Sequence, residues 1–520
     1  MAAGNSSKKS AKTPKKWQRS RQAVQVLALL LFLYLLLGTK QGSTTILPHD
    51  LFFRLDPLAG ITAMLAGRSW IPALALGGAT LILALAVGRA WCGWLCPLGT
   101  IIDWTPSRQP KKRGLDIHPY WRQVKYFLLL ATLFGAALGS LTLLIFDPIT
   151  ILFRTLTSAV LPALNIAVTA VESWLYGFSL FQPAVAWFDG LVRGSLITEQ
   201  PFFMPNLIIA AVFVGILVLE VVRPRFWCRY LCPLGGLLGL CAKVAHIRAE
   251  VDEEKCTSCQ RCAVICPTGA IDPEQKFAVN AAECTTCLDC MEVCPTKAIS
   301  FQGQWGSKTY PLYDPSRRHF LASLGAASIG AALLWLVPFV IKAKPEYVRP
   351  PGTTEEQLLS RCIRCGECAK VCPTGVIQPG SSAASWDGLW TPSLVTRLGY
   401  CDYSCTSCGQ VCPSGAITEL PLEEKQRRVI GVAVIDRERC IPWADDIECN
   451  VCEEMCPLPQ KAIRLDRQGR GRQRSGQSAV QRPHMIPELC IGCGICEYQC
   501  PLNGESAIRV FPPDEDQHTV

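Results

Sequence analysis

Four times in this chain three cysteines recur at the spacing C-x2-C-x2-C, followed after three more residues by a cysteine that precedes proline. Three thiolates so spaced wrap one face of a cubane iron–sulfur cluster, and the fourth usually reaches the partner cluster of a two-cluster unit. Segments that must close around a cluster cannot be long helices or strands, so these runs constrain the fold more than any other feature. Cys256, Cys259, Cys262 and Cys266 form the first run, and Cys284, Cys287, Cys290 and Cys294 the second. By the exchange rule Cys294 completes the first cluster and Cys266 the second. Cys362, Cys365, Cys368 and Cys372 repeat the spacing, as do Cys490, Cys493, Cys496 and Cys500. Between them lie two variants. Cys401 precedes Cys405, Cys408 and Cys412 with three intervening residues, and Cys440 stands well upstream of Cys449, Cys452 and Cys456.

Six quartets imply six [4Fe–4S] clusters with iron held through these cysteines. Paired C-x2-C knuckles also suit zinc, but the repeated run ending in Cys-Pro favours iron–sulfur. Disulfides between residues three apart in a tight loop have poor geometry. For the last four quartets a nested pairing is expected, first with fourth and second with third, although spacing does not exclude other arrangements.

The chain has 520 residues, 49% hydrophobic and only 18% charged, and 29 cysteines. A charged fraction this far below the usual ~25% points to membrane segments and excludes disorder for most of the length. Seven of the nine net positive charges lie in the first 22 residues, at Lys8, Lys9, Lys12, Lys15, Lys16, Arg19 and Arg21. A basic run ahead of an apolar segment is a topology signal rather than a nucleic-acid patch, and it puts the N-terminus in the cytoplasm. Spans are expected at 23–39, 71–88, 126–146 and 207–222, with a lipid bilayer as partner. The apolar stretch 151–171 is read as an interfacial or re-entrant helix, because another crossing would put Arg223, Arg225 and Arg229 outside.

The spans carry an internal repeat. Leu55-Asp56-Pro57-Leu58 is echoed by Phe146-Asp147-Pro148-Ile149, and Arg89-Ala90-Trp91-Cys92 through Cys96-Pro97-Leu98-Gly99 by Arg225-Phe226-Trp227-Cys228 through Cys232-Pro233-Leu234-Gly235. Two spans per half give parallel repeats, with both C-x3-C-P motifs at the cytoplasmic edge. Cys92, Cys96, Cys228 and Cys232 are then either a further metal or redox site or small buried residues in a packing turn, and recurrence in both halves favours the first. Trp91, Trp94, Trp227 and Tyr230 read as an aromatic belt. Asp56 and Asp147 read as N-caps with proline at the first helical position, at the outer edge. Their functional alternative is acceptance of protons from a quinol. Cys241 reads as a buried structural thiol. No C-x-x-C-H occurs, no histidine lies in the spans, and no nucleotide-binding glycine loop joins strand to helix, so neither haem nor flavin is expected.

Ser316-Arg317-Arg318-His319-Phe320-Leu321 before the apolar run to Ile341 resembles a twin-arginine export signal placed inside the chain. Residues 20–305 resemble the NapH family of membrane polyferredoxins. Residues 315–515 resemble the NapG (MauM/NapG) four-cluster ferredoxins, through Arg349-Pro350-Pro351-Gly352, Cys362-Ile363-Arg364-Cys365-Gly366, Cys401-x3-Cys405 and the Cys440–Cys449 gap. The order of motifs is more telling than the cluster runs alone.

The expected architecture is an α-helical membrane domain of four spans in two parallel repeats, plus α+β bacterial-ferredoxin-like two-cluster domains. Its parts are a basic cytoplasmic tail (1–22), the membrane domain (23–250), a cytoplasmic two-cluster domain (251–305), a signal or anchor (306–345) and a periplasmic four-cluster domain (346–520). The resemblance implies electron transfer in anaerobic respiration, at the bacterial inner membrane, from membrane quinol to a periplasmic redox protein such as nitrate reductase. The chain would then be a quinol dehydrogenase component or a plain electron carrier. The alternative is a CcoG-like metal-handling or assembly factor for a respiratory complex.

Overall fold

The computed structural model describes residues 16–42, 46–105, 119–192, 203–303, 347–380, 387–466 and 480–513, with Leu324, Gly325, Ser328 and Gly330. The Arg317-Arg318 pair, Lys8 to Lys15 and residues 467–479 lie outside the described residues.

The apolar runs fold as two successions of the same elements. The first consists of α1 (Lys16–Gly38), the short α2 (Leu51–Arg54), α3 (Pro57–Ala66), α4 (Gly77–Val87) and α5 (Pro97–Trp104). The second consists of α6 (Gln123–Ala137), α7 (Pro148–Thr155) continuing into α8 (Leu161–Tyr176), α9 (Gln182–Val192), α10 (Asn206–Val222) and α11 (Pro233–Ala242). α3 matches α7, α4 matches α10 and α5 matches α11. Each of α3, α5, α7 and α11 starts with proline at its first position, where the missing N–H costs nothing. A single-turn π-helix, Trp91–Leu95 or Trp227–Leu231, precedes α5 and α11. Such turns insert one extra residue per turn and occur often at functional sites.

Among the described residues two helices are long and apolar enough to cross a membrane, Lys16–Gly38 and the 29-residue Pro148–Tyr176, while five apolar helices are shorter. The second contains the stretch 151–171 expected to be interfacial or re-entrant, and its 29 residues reach about 43 Å. Within it the Arg154 side chain is 3% exposed and donates to the Arg364 carbonyl. The expected span 126–146 divides, because α6 stops at Ala137 and a 3-10 turn covers Thr142–Phe146. Leu27, Ile82, Leu207, Ile208 and Val218 remain exposed on the outer faces, an apolar surface of the kind lipid covers.

Behind α11 the chain becomes α+β. β1 (Ile247–Val251) pairs antiparallel with β4 (Ile299–Gly303), and β2 (Ile271–Asp272) with β3 (Ala278–Val279). The C-terminal region holds two such units, one with β5 (Ile377–Pro379) against β6 (Pro392–Leu394). In the other, β7 (Val432–Ile435) pairs with β10 (Ile508–Phe511) and β8 (Ile463–Asp466) with β9 (Arg482–Met485). Arg482, which the glycine- and arginine-rich composition assigns to a solvated loop, instead opens β9 opposite Asp466.

α4 shows how these parts sit on the helical domain. At its start, Gly77 lies against Pro57 and the Asp56 carbonyl. At its end, the Leu85 and Val87 carbonyls accept from His246 N and Thr286 Oγ1 of the first α+β part. α3 leads away from Asp56 to Gly67, which packs on Arg361 of the C-terminal region. The two cysteine-rich parts therefore grip opposite ends of the helical domain.

Candidate functional site

All four regular cysteine runs share one backbone device, a left-handed residue on each side of the second cysteine. These are Ser258 and Gln260, Thr286 and Leu288, Arg364 and Gly366, and Gly492 and Gly494. Consecutive amides turned this way point into a common concavity and favour an anionic group there. The Cys405 and Cys449 runs lack the device, because Thr406 and Asn450 have negative φ.

The groupings are sequential rather than nested. Cys362, Cys365, Cys368 and Cys412 line one cavity, Cys440, Cys449, Cys452 and Cys500 a second, and Cys456, Cys490, Cys493 and Cys496 a third. Cys372 lies among Cys401, Cys405 and Cys408. Each pairing thus joins neighbouring quartets, and the nested expectation is overturned: strand pairing closes each unit locally, β5 with β6 and β7 with β10. In the first α+β part Cys266 stands with Cys284, Cys287 and Cys290, as the exchange rule requires.

Three cysteines from one run and one from its neighbour make the donor set a cubane cluster needs, so these residues fit the group. Amides already point at sulfur, Ala270 N on Cys266 Sγ at 3.2 Å and Ala298 N on Cys294 Sγ at 3.3 Å. Burial pushes the Cys284 thiol up to about 11 and those of Cys287, Cys452 and Cys493 up to about 12. Thiolates enclosed like this are costly without a cation, which bound iron would supply.

Inside the helical domain four helix N-termini start on buried side chains: Asp56 on α3, Cys96 on α5, Asp147 on α7 and Cys232 on α11. Cys92, Cys96, Cys228 and Cys232 are free thiols at most 7% exposed. Cys232 lies within electrostatic reach of the other three. Two arginines brace the group by reciprocal exchange between the repeats. Arg89 donates to the Cys228 carbonyl and Arg225 to the Cys92 carbonyl, both at 3.2 Å. A Cβ on Gly99 would sit 2.9 Å from the Cys92 oxygen, and one on Gly93 2.2 Å from the Thr285 oxygen of the docked α+β part. Among the described residues no three His, Cys, Asp or Glu side chains converge tightly enough for a single ion.

Asp56 and Asp147 are N-caps as expected: Asp56 Oδ1 accepts from Leu58 N at 2.8 Å, and Asp147 Oδ2 from Thr150 N at 2.9 Å. Both are fully buried in the helical domain, within electrostatic reach of one another. Asp56 Oδ2 and Asp147 Oδ1 have no hydrogen-bond partner among the described residues. Trp91, Trp227 and Tyr230 are also interior, at 4%, 4% and 1% exposure, and Trp94 donates to the Thr286 carbonyl. The aromatic belt is therefore overturned. Tryptophan and tyrosine suit a belt or a core equally, and here the π-turns rotate them inward. Cys241 is half-buried rather than enclosed.

Sequence reasoning missed the charged residues that dock the parts. Glu283 receives Lys125 Nζ at 2.6 Å and Arg89 at 3.4 Å. Burial alone would raise its carboxyl, but Lys125 and Arg89 outweigh burial and hold it below the usual carboxylate range. At the opposite end Arg154 stacks 3.9 Å over Trp390. No local pattern marks either contact, since the partners are more than a hundred residues apart. Glu283→Gln would leave two buried cations uncompensated and cost about 3–5 kcal/mol. Thermal unfolding in detergent should show the loss, and adding Lys125→Met should restore part of it; an unchanged melting temperature would contradict the role.

Models of 4Fe-4S binding domains match residues 62–114, 205–249 and 408–425, 249–272 and 284–298, and a 4Fe-4S dicluster model matches 361–416 and 447–503. The methylamine utilization ferredoxin-type protein MauM of Methylorubrum extorquens is 34% identical over 208 residues, 38% of this chain and 90% of that protein. The ferredoxin-type protein NapG of Escherichia coli is 34% identical over 203 residues, 38% of this chain and 85% of that protein. The ferredoxin-type protein NapH of the same organism is 28% identical over 220 residues, 41% of this chain and 60% of that protein. No solved structure matches.

Proposed function

Because this chain belongs to the MauM/NapG family of ferredoxin-type proteins and joins it to a NapH-type part on one polypeptide, we propose that it carries electrons from membrane quinol to a periplasmic reductase. Family membership makes it an iron–sulfur electron-transfer protein; the quinol donor, the reductase and the sidedness are our reading. In it the two-cluster part faces the cytoplasm and the four-cluster part the periplasm, and a nitrate reductase is one suitable acceptor.

The observation that carries the proposal is the buried centre between the two cysteine-rich parts. Asp147 is within electrostatic reach of Cys96 on one side and of Arg154 on the other, and Arg154 in turn reaches Cys362 and Cys365. Cysteine and carboxyl groups thus continue from one docked part to the other. Iron–sulfur clusters, when bound, accept and release single electrons. The chain's own residues do the rest. Twenty-four cysteines hold six clusters, Cys92, Cys96, Cys228 and Cys232 form a further metal or redox site, and Asp56 and Asp147 take the protons a quinol must release. The rival reading is a metal-handling assembly factor, in which the same four membrane cysteines would bind or reduce a metal ion instead of passing electrons on.

Anaerobically loaded protein should contain about four irons per quartet and lose its visible iron–sulfur absorption when a short-chain menaquinol is added in nanodiscs. Iron sufficient for only two or four clusters, or absorption that dithionite bleaches and menaquinol does not, would contradict the proposal.

A further inference from the structure

The four outer cysteine sites are not laid out in space in the order of the chain. The first site, at Cys362, Cys365, Cys368 and Cys412, abuts the helical domain, because Arg154 lines its cavity and Cys365 packs in the core with Leu152 and Phe53. The second, with Cys401, belongs to the same unit. The two outer units then meet along one seam. Cys401 N donates to the Cys493 carbonyl at 2.8 Å, which joins the second site directly to the fourth. Thr396 Oγ1 donates to Glu497 at 2.7 Å beside it, and Gly494 lies so close to Thr396 that a Cβ there would be 2.2 Å from its methyl.

The third site meets the first unit through Arg397, which donates to the Cys500 carbonyl at 3.2 Å, and not through a cysteine-to-cysteine bond such as Cys401–Cys493. Its cavity is lined by Ile435, Ile441, Pro442, Val451, Pro483 and neighbours, all from the second unit. Cys452 of this site lies within electrostatic reach of Cys496 in the fourth. The segment between Cys440 and Cys449 faces solvent, with Ile447 58% exposed.

We infer that the route through the outer domain runs from the first site to the second, crosses at Cys401–Cys493 to the fourth, and ends at the third. The inference rests on the electron-carrier reading above and assigns two roles. Cys493 is the crossing point, and the Cys440–Cys452 site is where a periplasmic redox partner takes electrons. The eight residues between Cys440 and Cys449 thus belong to the exit surface.

The test uses the full chain, cluster-loaded, in nanodiscs, with a short-chain menaquinol as donor and low-temperature electron paramagnetic resonance as readout. In Cys449→Ser the fourth site should still be reduced at the wild-type rate, and its magnetic interaction with the second should persist. In Cys493→Ser the third site should stay loaded by iron count yet cease to be reduced. Stalling of the fourth site in Cys449→Ser, with its iron retained, would overturn this order and support the order of the chain. If Cys449→Ser also loses the fourth site's iron, Cys493→Ser decides, and normal reduction of the third site there would overturn the inference. Failure of every outer site in the unsubstituted protein would bring down the carrier reading itself, a result distinguishable from a wrong order.

Discussion

Replacing Cys92 and Cys228 by alanine, singly or together, will reduce menaquinol-driven reduction of the outer sites to the rate seen without quinol. Alanine nearly matches cysteine in size, so packing loses little, on the order of 1 kcal/mol per site. The protein should fold, keep the iron of its six quartets and respond normally to dithionite. What it loses is the thiolate set on which α5 and α11 converge, braced by Arg89 and Arg225. If the four cysteines were only small residues in packing turns, the alanine variants would transfer electrons as the parent does. Measuring iron and reduction rate on the same sample separates the outcomes.

The second large effect is expected at the carboxyl pair. Asn caps helices about as well as Asp, so Asp56→Asn and Asp147→Asn should leave the melting temperature nearly unchanged. The amide cannot take up a proton, however. Each carboxyl keeps one buried oxygen without a hydrogen-bond partner, and the two side chains lie within electrostatic reach of one another, so a proton taken up there relieves the repulsion between them. General-base action contributes about 10²–10⁴-fold, so quinol oxidation should fall at least a hundredfold in either variant, while dithionite reduction of the clusters stays normal. Steady-state quinol oxidation alongside thermal unfolding checks this. An asparagine variant that oxidises quinol at the parental rate would reduce the pair to helix caps.

How much of this was legible in the sequence depends on the range of the signal. The quartets, the exchange of Cys266 and the capping by Asp56 and Asp147 follow from contacts within a few residues or one supersecondary unit, and spacing encodes them. The nested pairing failed because spacing sets which three cysteines share a loop, not which loops become neighbours. β5 with β6 and β7 with β10 decide that. The burial of Arg154 on Trp390 was not legible either, because charge counting treats every arginine as solvated. Asp56-Pro57 and Asp147-Pro148 mark helix starts, but nothing local says that these starts are buried within electrostatic reach of one another. The Glu283 and Arg225 clamps join distant segments through single charges, which no periodicity records.

The central claim is that the helical domain joins the two cysteine-rich parts into one electron path, and one measurement addresses it most directly. Protein would be reconstituted in sealed vesicles in a single orientation, and a membrane-impermeant reductant supplied only on the side of the 251–303 part. Reduction of the outer clusters would be followed by electron paramagnetic resonance. The account predicts that the outer sites are reduced from across the membrane, and that Cys92→Ala with Cys228→Ala stops this while the near pair is still reduced. Outer sites that stay oxidised in the unsubstituted protein, with the near pair fully reduced, would contradict it.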